Sequence, residues 1–127
     1  MRKRRILLVD DDDKILGIAA RILEDAGYEV HATKHSGKAA QMAERLRPAL
    51  AILDVSMPEK DGFELAKQIR SRSRTSRTRV MFLTSQQTGE HIEEARDAGA
   101  LAYLEKPFRG EELLRMVKSV LSLAKSV

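Results

Sequence analysis

Three acids, a hydroxyl pair and one amine stand directly behind short apolar runs. Asp10 and Asp11 follow Ile6–Val9, Asp54 follows Leu50–Leu53, Thr84 and Ser85 follow Val80–Leu83, and Lys106 comes shortly after Ala102–Leu104. If those runs are parallel strands, their carboxyl ends share one rim, where open α/β sheets bind ligands. Carboxylates gathered there repel one another, by about 4 kcal/mol for like charges about 4 Å apart at an effective dielectric near 20. Either a proton stays on one of them or a cation sits among them. With oxygen donors only, and neither His nor Cys nearby, the expected cation is hard, Mg²⁺ before Ca²⁺. One carboxylate is then left as a nucleophile for phosphorus, as in enzymes that form aspartyl phosphate. The cation and the Lys106 ammonium would neutralise charge from opposite sides, and Thr84 could donate to a phosphoryl oxygen.

Each residue has a plainer reading. An acidic run ahead of a helix complements the helix dipole, which suits Asp12 and Asp13 as well as any chemistry does. Asp54 could be a turn residue, Thr84 and Ser85 the start of a loop, and Lys106 a surface lysine in a rigid turn before Pro107. Their joint placement behind successive apolar runs favours the chemical reading.

The elements that would position them alternate in type. Ile6–Val9, Leu50–Leu53 and Val80–Leu83 are unbroken apolar runs, as expected of central strands covered on both faces. Tyr28–Thr33 alternates, with Tyr28, Val30 and Ala32 on one side and Glu29, His31 and Thr33 on the other, which suits an edge strand. Ala102–Leu104 is a weaker fifth candidate. Between the strands, Ile15, Ile18, Ala19, Ile22, Leu23 and Ala26 form one helical stripe that Gly27 would end. Ser36 could cap a second helix carrying Ala39, Met42, Ala43 and Leu46, with Pro48 as its stop. Asp61 could cap a third, with Leu65 and Ile69 inward. Thr88 could begin a fourth, with Ile92 and Ala95 inward and Gly99 after it. A fifth would run from about Gly110 through Leu113, Val117, Val120, Leu121 and Ala124. Five strand–helix units predict an α/β fold, a doubly wound parallel sheet with right-handed crossovers and helices on both faces. Ser71–Arg79 reads as a polar loop without an assigned role.

The 127 residues suit one domain spanning 1–127, and 43% hydrophobic with 33% charged residues suits a folded, soluble chain. Without cysteine, neither a disulfide framework nor a thiolate site is available. The apolar stretch behind the basic start is too short for export, and nothing approaches the roughly 20 apolar residues of a membrane span. A cytoplasmic location is expected. The net charge of +4 lies largely in two clusters, Arg2–Arg5 and Arg70–Arg79, with only two Tyr and three Phe for stacking. This reads as solvated surface rather than a nucleic-acid footprint.

Four segments, in this order, resemble the receiver domain of two-component response regulators, similar to the single-domain chemotaxis regulators. They are ILLVDD at 6–11, ILDVSMP at 52–58 with Asp61 and Gly62 behind it, VMFLTS at 80–85, and YLEKPF at 103–108. The resemblance runs from Ile6 to about Leu123. It implies a flavodoxin-like sheet of order 2-1-3-4-5, Asp54 as phosphoacceptor, and Asp11 as a direct Mg²⁺ ligand with Asp10 acting through water or from behind. Ser56 would offer its backbone carbonyl to the metal. Thr84 and Lys106 would bind the phosphoryl oxygens, and Tyr103 would turn inward as Thr84 moves, although an aromatic that simply packs is the alternative. The donor would be a phosphohistidine on a sensor histidine kinase or histidine phosphotransfer protein. The readout to an effector would be the surface of the fourth helix, fifth strand and fifth helix, and the domain would be a signalling module rather than an enzyme. Ser56 and Gln86 occupy positions that tune dephosphorylation in this family, and Ser85 stands where the family more often has Ala. Homodimerisation is left open, as is whether the chain stands alone or belongs to a larger protein.

Three rivals remain at this point. Asp10 and Asp12 with Thr84 and Lys106 also resemble haloacid dehalogenase phosphatases, in which the first acid attacks. An interaction module that signals without phosphate would keep the fold. Direct nucleic-acid binding would use the arginine-rich loop.

Overall fold

The computed structural model describes residues 3–85 and 89–123. Arg2, Gln86, Thr88 and Ala124, and the side chain of Ile92, lie outside what is described, so their expected roles are not addressed by it. Five strands alternate with five helices: β1 Arg5–Val9, α1 Asp13–Asp25, β2 Glu29–Thr33, α2 Ser36–Leu46, β3 Leu50–Asp54, α3 Gly62–Ser71, β4 Arg79–Thr84, α4 Gly89–Asp97, β5 Ala102–Glu105 and α5 Gly110–Ser122. Every strand pairing is parallel and the order is β2-β1-β3-β4-β5. This is the flavodoxin-like doubly wound sheet, with β2 at one edge and β5 at the other.

The central strands bury the unbroken apolar runs because helices cover both faces. Alternation within each strand sends Leu7, Val9, Ala51, Leu53, Val80 and Phe82 to the side of α2, α3 and α4, where they meet Ala39, Ala43, Leu65, Ile69 and Ala95. The intervening Ile6, Leu8, Leu50, Ile52, Met81 and Leu83 face α1 and α5, against Leu23, Leu113 and Val117. Phe82 and Phe63 meet edge to face, with ring centroids 4.9 Å apart.

Local signals set several helix ends. Asp12 caps α1 by accepting from the amides of Lys14 and Ile15, and Asp61 caps α3 by accepting from Glu64 N at 2.9 Å. Gly27, with φ of +100°, takes the left-handed position after α1. Arg47 takes it after α2 with φ of +45°, just ahead of Pro48.

Two helical readings need correction. Ser36 does not cap α2: His35 holds the N-cap position without a side-chain bond, and Ser36 is buried in the first turn. Its hydroxyl donates instead to Pro58 O at 2.8 Å and accepts from Lys60 N at 3.2 Å, reaching across to the loop after β3. In α1, Ile18 is 56% exposed, whereas Ala19 and Leu23 are fully buried and Leu16 and Ala20 are half-buried. Apolar residues on α1 cover a wider arc than one contact face can bury, and packing against the sheet and α5 selects the side nearer Leu16. The segment read as a loop is also shorter than expected: Ser71 ends α3, Arg79 opens β4, and a turn lies between.

Leu23→Ala should therefore cost about 2–5 kcal/mol of unfolding free energy, whereas Ile18→Ala should be neutral or slightly stabilising because Ala is the better helix former. Urea unfolding of the two variants checks this, and a loss above about 2 kcal/mol for Ile18→Ala would return that residue to the core.

Candidate functional site at the carboxyl rim of the sheet

Asp10 leaves β1 fully buried, held by a bond from its own amide to Thr33 O at 3.3 Å, and its Oδ1 accepts from Asp12 N at 2.9 Å. Asp11 beside it is exposed. Asp54 is the last residue of β3, opposite Leu83 in register, and only 5% exposed. The chain turns immediately after it: Val55 N donates to Leu83 O at 3.0 Å, and Gly62 N donates to Val55 O at 2.9 Å. Gly62 packs so closely that a Cβ there would lie 2.2 Å from Asp54 O. Thr84 ends β4, buried, and its carbonyl accepts from Lys106 N at 2.7 Å, which fixes the lysine backbone to the same rim. The Lys106–Pro107 peptide is cis.

These anchors bring the charges together. Lys106 Nζ lies 2.6 Å from Asp10 Oδ2 and 3.2 Å from Asp54 Oδ1. One oxygen each from Asp10, Asp11 and Asp54 falls within 4.8 Å of the others. Burial, and then the negative charge of Asp10, push the Asp54 carboxyl up from 3.8 to about 6 against the pull of Lys106. Burial alone would lower Lys106, but its contacts with Asp10 and Asp54 outweigh that and hold the ammonium above its ordinary value.

Three carboxylates against one ammonium leave the cluster short of positive charge. Asp10 Oδ2 is buried and, despite the nearby ammonium, makes no aligned hydrogen bond. A hard divalent cation fits this set of oxygen donors, and Asp10, Asp11 and Asp54 are the residues that could hold it.

The remaining candidates lie on neighbouring segments. Ser56 is exposed, two residues beyond Asp54, in a loop clasped by Ser36 and carrying Glu59 at φ of +71°. Tyr103 is half-buried on β5, opposite Phe82 in register and on the same sheet face as Thr84. Asp12 spends its carboxylate on the α1 cap, away from the role a phosphatase acid would need. The sequence reading missed what Ser36 and Gly62 do here. A glycine one residue after a helix cap was the only available signal for the second, and nothing local signalled the first.

Residues 6–118 match the family model of the response regulator receiver domain. The chain belongs to that family. The receiver is 36% identical over 120 residues to the transcriptional regulatory protein PdtaR of Mycobacterium tuberculosis, covering 94% of this chain and 57% of that protein. It is 37% identical to the DNA-binding dual master transcriptional regulator RpaA of Synechocystis, covering 92% of this chain and 48% of the other. The receiver thus spans about half the length of the curated relatives it matches. Among solved structures, the chemotaxis protein CheY4 of Vibrio cholerae superposes with a TM-score of 0.90 at 34% identity, covering 94% of this chain and 99% of that one. The receiver domain of the sensor histidine kinase PA1611 from Pseudomonas aeruginosa, solved with magnesium coordinated in its active-site cleft, superposes with a TM-score of 0.88 at 28% identity, covering 96% and 100%. Among the described residues, no helix is long and apolar enough to cross a membrane.

Two outcomes follow for the metal-free receiver. A carboxyl raised to about 6 in the folded state binds more protons than in the unfolded chain between about pH 4 and 6, so stability should fall as pH rises through that window. The loss is of order 3 kcal/mol, from roughly two units at 1.36 kcal/mol each. In EDTA, Asp54→Asn should match the parent near pH 4 and exceed it in stability near pH 7; a variant weaker than the parent at both would contradict this. Gly62→Ala should force the Asp54 backbone to move and cost about 1–3 kcal/mol in urea unfolding, against the usual benefit of Ala in a helix. An unchanged midpoint would contradict it.

Proposed function

We propose that residues 1–127 form a single receiver domain in which Asp54 accepts a phosphoryl group from a phosphohistidine on a sensor histidine kinase or phosphotransfer protein. The observation that carries this reading is the Asp54 carboxylate, nearly buried at a strand end, 3.2 Å from the Lys106 ammonium and grouped with Asp10 and Asp11. The Asp54–phosphorus bond forms as the phosphorus–nitrogen bond breaks, and the imidazole, already protonated on its other ring nitrogen, takes the bonding pair and leaves as the neutral ring. Asp11 and Asp54 would bind Mg²⁺ directly, with the Ser56 carbonyl as a further ligand and Asp10 acting through water. Bound there, the metal supplies charge neutralisation for the phosphoryl oxygens.

The chain's own residues do the rest. Lys106, held in place through its backbone bond to Thr84, balances the charge of Asp10 and Asp54. Thr84 donates its hydroxyl to a phosphoryl oxygen. Because Thr84 and Tyr103 share one sheet face, a shift of the first opens or closes space for the second, and phosphorylation biases that equilibrium. Catalysis is confined to the domain's own phosphorylation and dephosphorylation, in which Asp54, Thr84 and Lys106 act. The effector would dock on α4, β5 and α5. Between β5 and α5 this surface carries Leu101 and Leu123, each 48% exposed, beside Leu104, Met116 and Val120. A cytoplasmic location accompanies a kinase partner of this kind.

Acetyl phosphate with Mg²⁺, followed by peptide mass mapping, should place one phosphoryl group on Asp54. Phosphate on Asp10 would overturn the assignment in favour of a phosphatase-like nucleophile. Chelating Mg²⁺ should stop labelling by a phosphohistidine donor, and Asp54→Asn should abolish it with the fold retained; undiminished labelling in either case would contradict the reading.

A further inference from the structure

The two basic clusters are about 70 residues apart in sequence, yet they meet in space. At the amino ends of the strands, on the rim opposite Asp54, a cleft of about 350 Å³ is lined by five cationic side chains, Lys3, Arg5, Arg47, Arg74 and Arg77, over a floor of Pro48, Ala49 and Thr78. We propose that this cleft binds a compact polyphosphate anion: a linear oligophosphate or the phosphate chain of a nucleotide.

The cleft is built rather than a chance gathering of surface charge. Thr78 is buried and its hydroxyl donates to Pro48 O at 2.9 Å, which ties the turn after α3 to the loop after α2. Thr75, also buried, closes that turn by donating to Ile69 O at 2.5 Å. Arg79 N donates to Ala49 O at 3.1 Å, and Ala49 N to Arg5 O at 2.9 Å, so the three segments that carry the cations are joined in series. Arg5 is further fixed by Leu46 O and Glu29, each at 3.0 Å.

The charge is not compensated from within. Among the described residues, Lys3, Arg47, Arg74 and Arg77 have no acidic partner, whereas the neighbouring Arg72 is paired with Glu44 at 3.2 Å. Four unpaired cations around one concavity repel each other, and a multivalent anion relieves that repulsion at several points at once. Guanidinium groups match phosphate oxygens with paired N–H donors. The volume falls in the range of small-ligand sites, about 300–1,000 Å³. No aromatic side chain lines the cleft, so it lacks the stacking platform on which single strands are bound.

Calorimetric titration of the full chain with sodium tripolyphosphate, in EDTA at about 0.15 M salt so that screening is physiological, tests this. One saturable site is expected. The exposed double substitution Arg74→Gln/Arg77→Gln should weaken it at least about tenfold, as loss of two charge-assisted contacts implies. Lys106→Ala, on the far rim, should leave it unchanged. Competition by ATP or ADP would identify a nucleotide as the source of the phosphates, and competition by inorganic oligophosphate alone would identify the free chain. Three results would overturn the proposal: no saturable binding, equal affinity in the double variant, or loss of binding in Lys106→Ala. Tight binding of single-stranded RNA that tripolyphosphate fails to displace would also overturn it, in favour of a nucleic-acid surface.

Discussion

Two carboxylates are buried against one ammonium at the end of a parallel sheet, and that imbalance organises the rest of the site. Asp10 and Asp54 are almost wholly removed from water, where a lone ionised group is costly. Lys106 reaches both, but a single ammonium cannot satisfy two acids with a third, Asp11, close by. Burial first, and then the charge of Asp10, hold the Asp54 carboxyl up near 6, and the buried Asp10 oxygen is left without an aligned hydrogen bond. A site in this condition is poised to gain from a cation, and a carboxylate that is hard to ionise alone becomes usable once one arrives.

The fold keeps this arrangement in place through backbone bonds that do not depend on the charges. Lys106 is tied to β4 through Thr84, Asp10 to β2 through Thr33, and the turn after Asp54 to β4 through Leu83. The loop after β3 is clasped from a separate helix by Ser36, and at its far end Gly62 packs against the backbone of Asp54 and Val55. The acids and the lysine therefore sit at the ends of rigid strands or one or two residues past them, while a pinned loop carries Ser56. That division suits a centre whose chemistry is mostly positioning and charge balance.

Much of this was legible because a parallel sheet places all its strand ends at one rim. Polar residues directly behind apolar runs therefore have to converge, so Asp10, Asp11, Asp54 and Lys106 are expected together from their positions in the sequence. The same rule applies to the opposite rim, where residues at or just ahead of the starts of β1, β3 and β4 must also meet. Arg5, Arg47 and Arg77 stand there, although on sequence alone the basic residues read as solvated surface. The role of Ser36 was hidden for a different reason. A serine opening a helix satisfies the capping pattern equally well, and its actual partners lie 22 and 24 residues away, set by how α2 packs on the sheet. The phase of α1 was ambiguous because its apolar residues outnumber the places on its buried face.

The most direct test of the central electrostatic claim is a carboxyl-carbon NMR titration of Asp54, with and without Mg²⁺. Without the metal the group should titrate near 6, and saturating Mg²⁺ should move that transition clearly lower. A transition at the ordinary carboxylate value in both conditions would show that the cluster is neither strained by its own charge nor relieved by a cation, and would contradict the account.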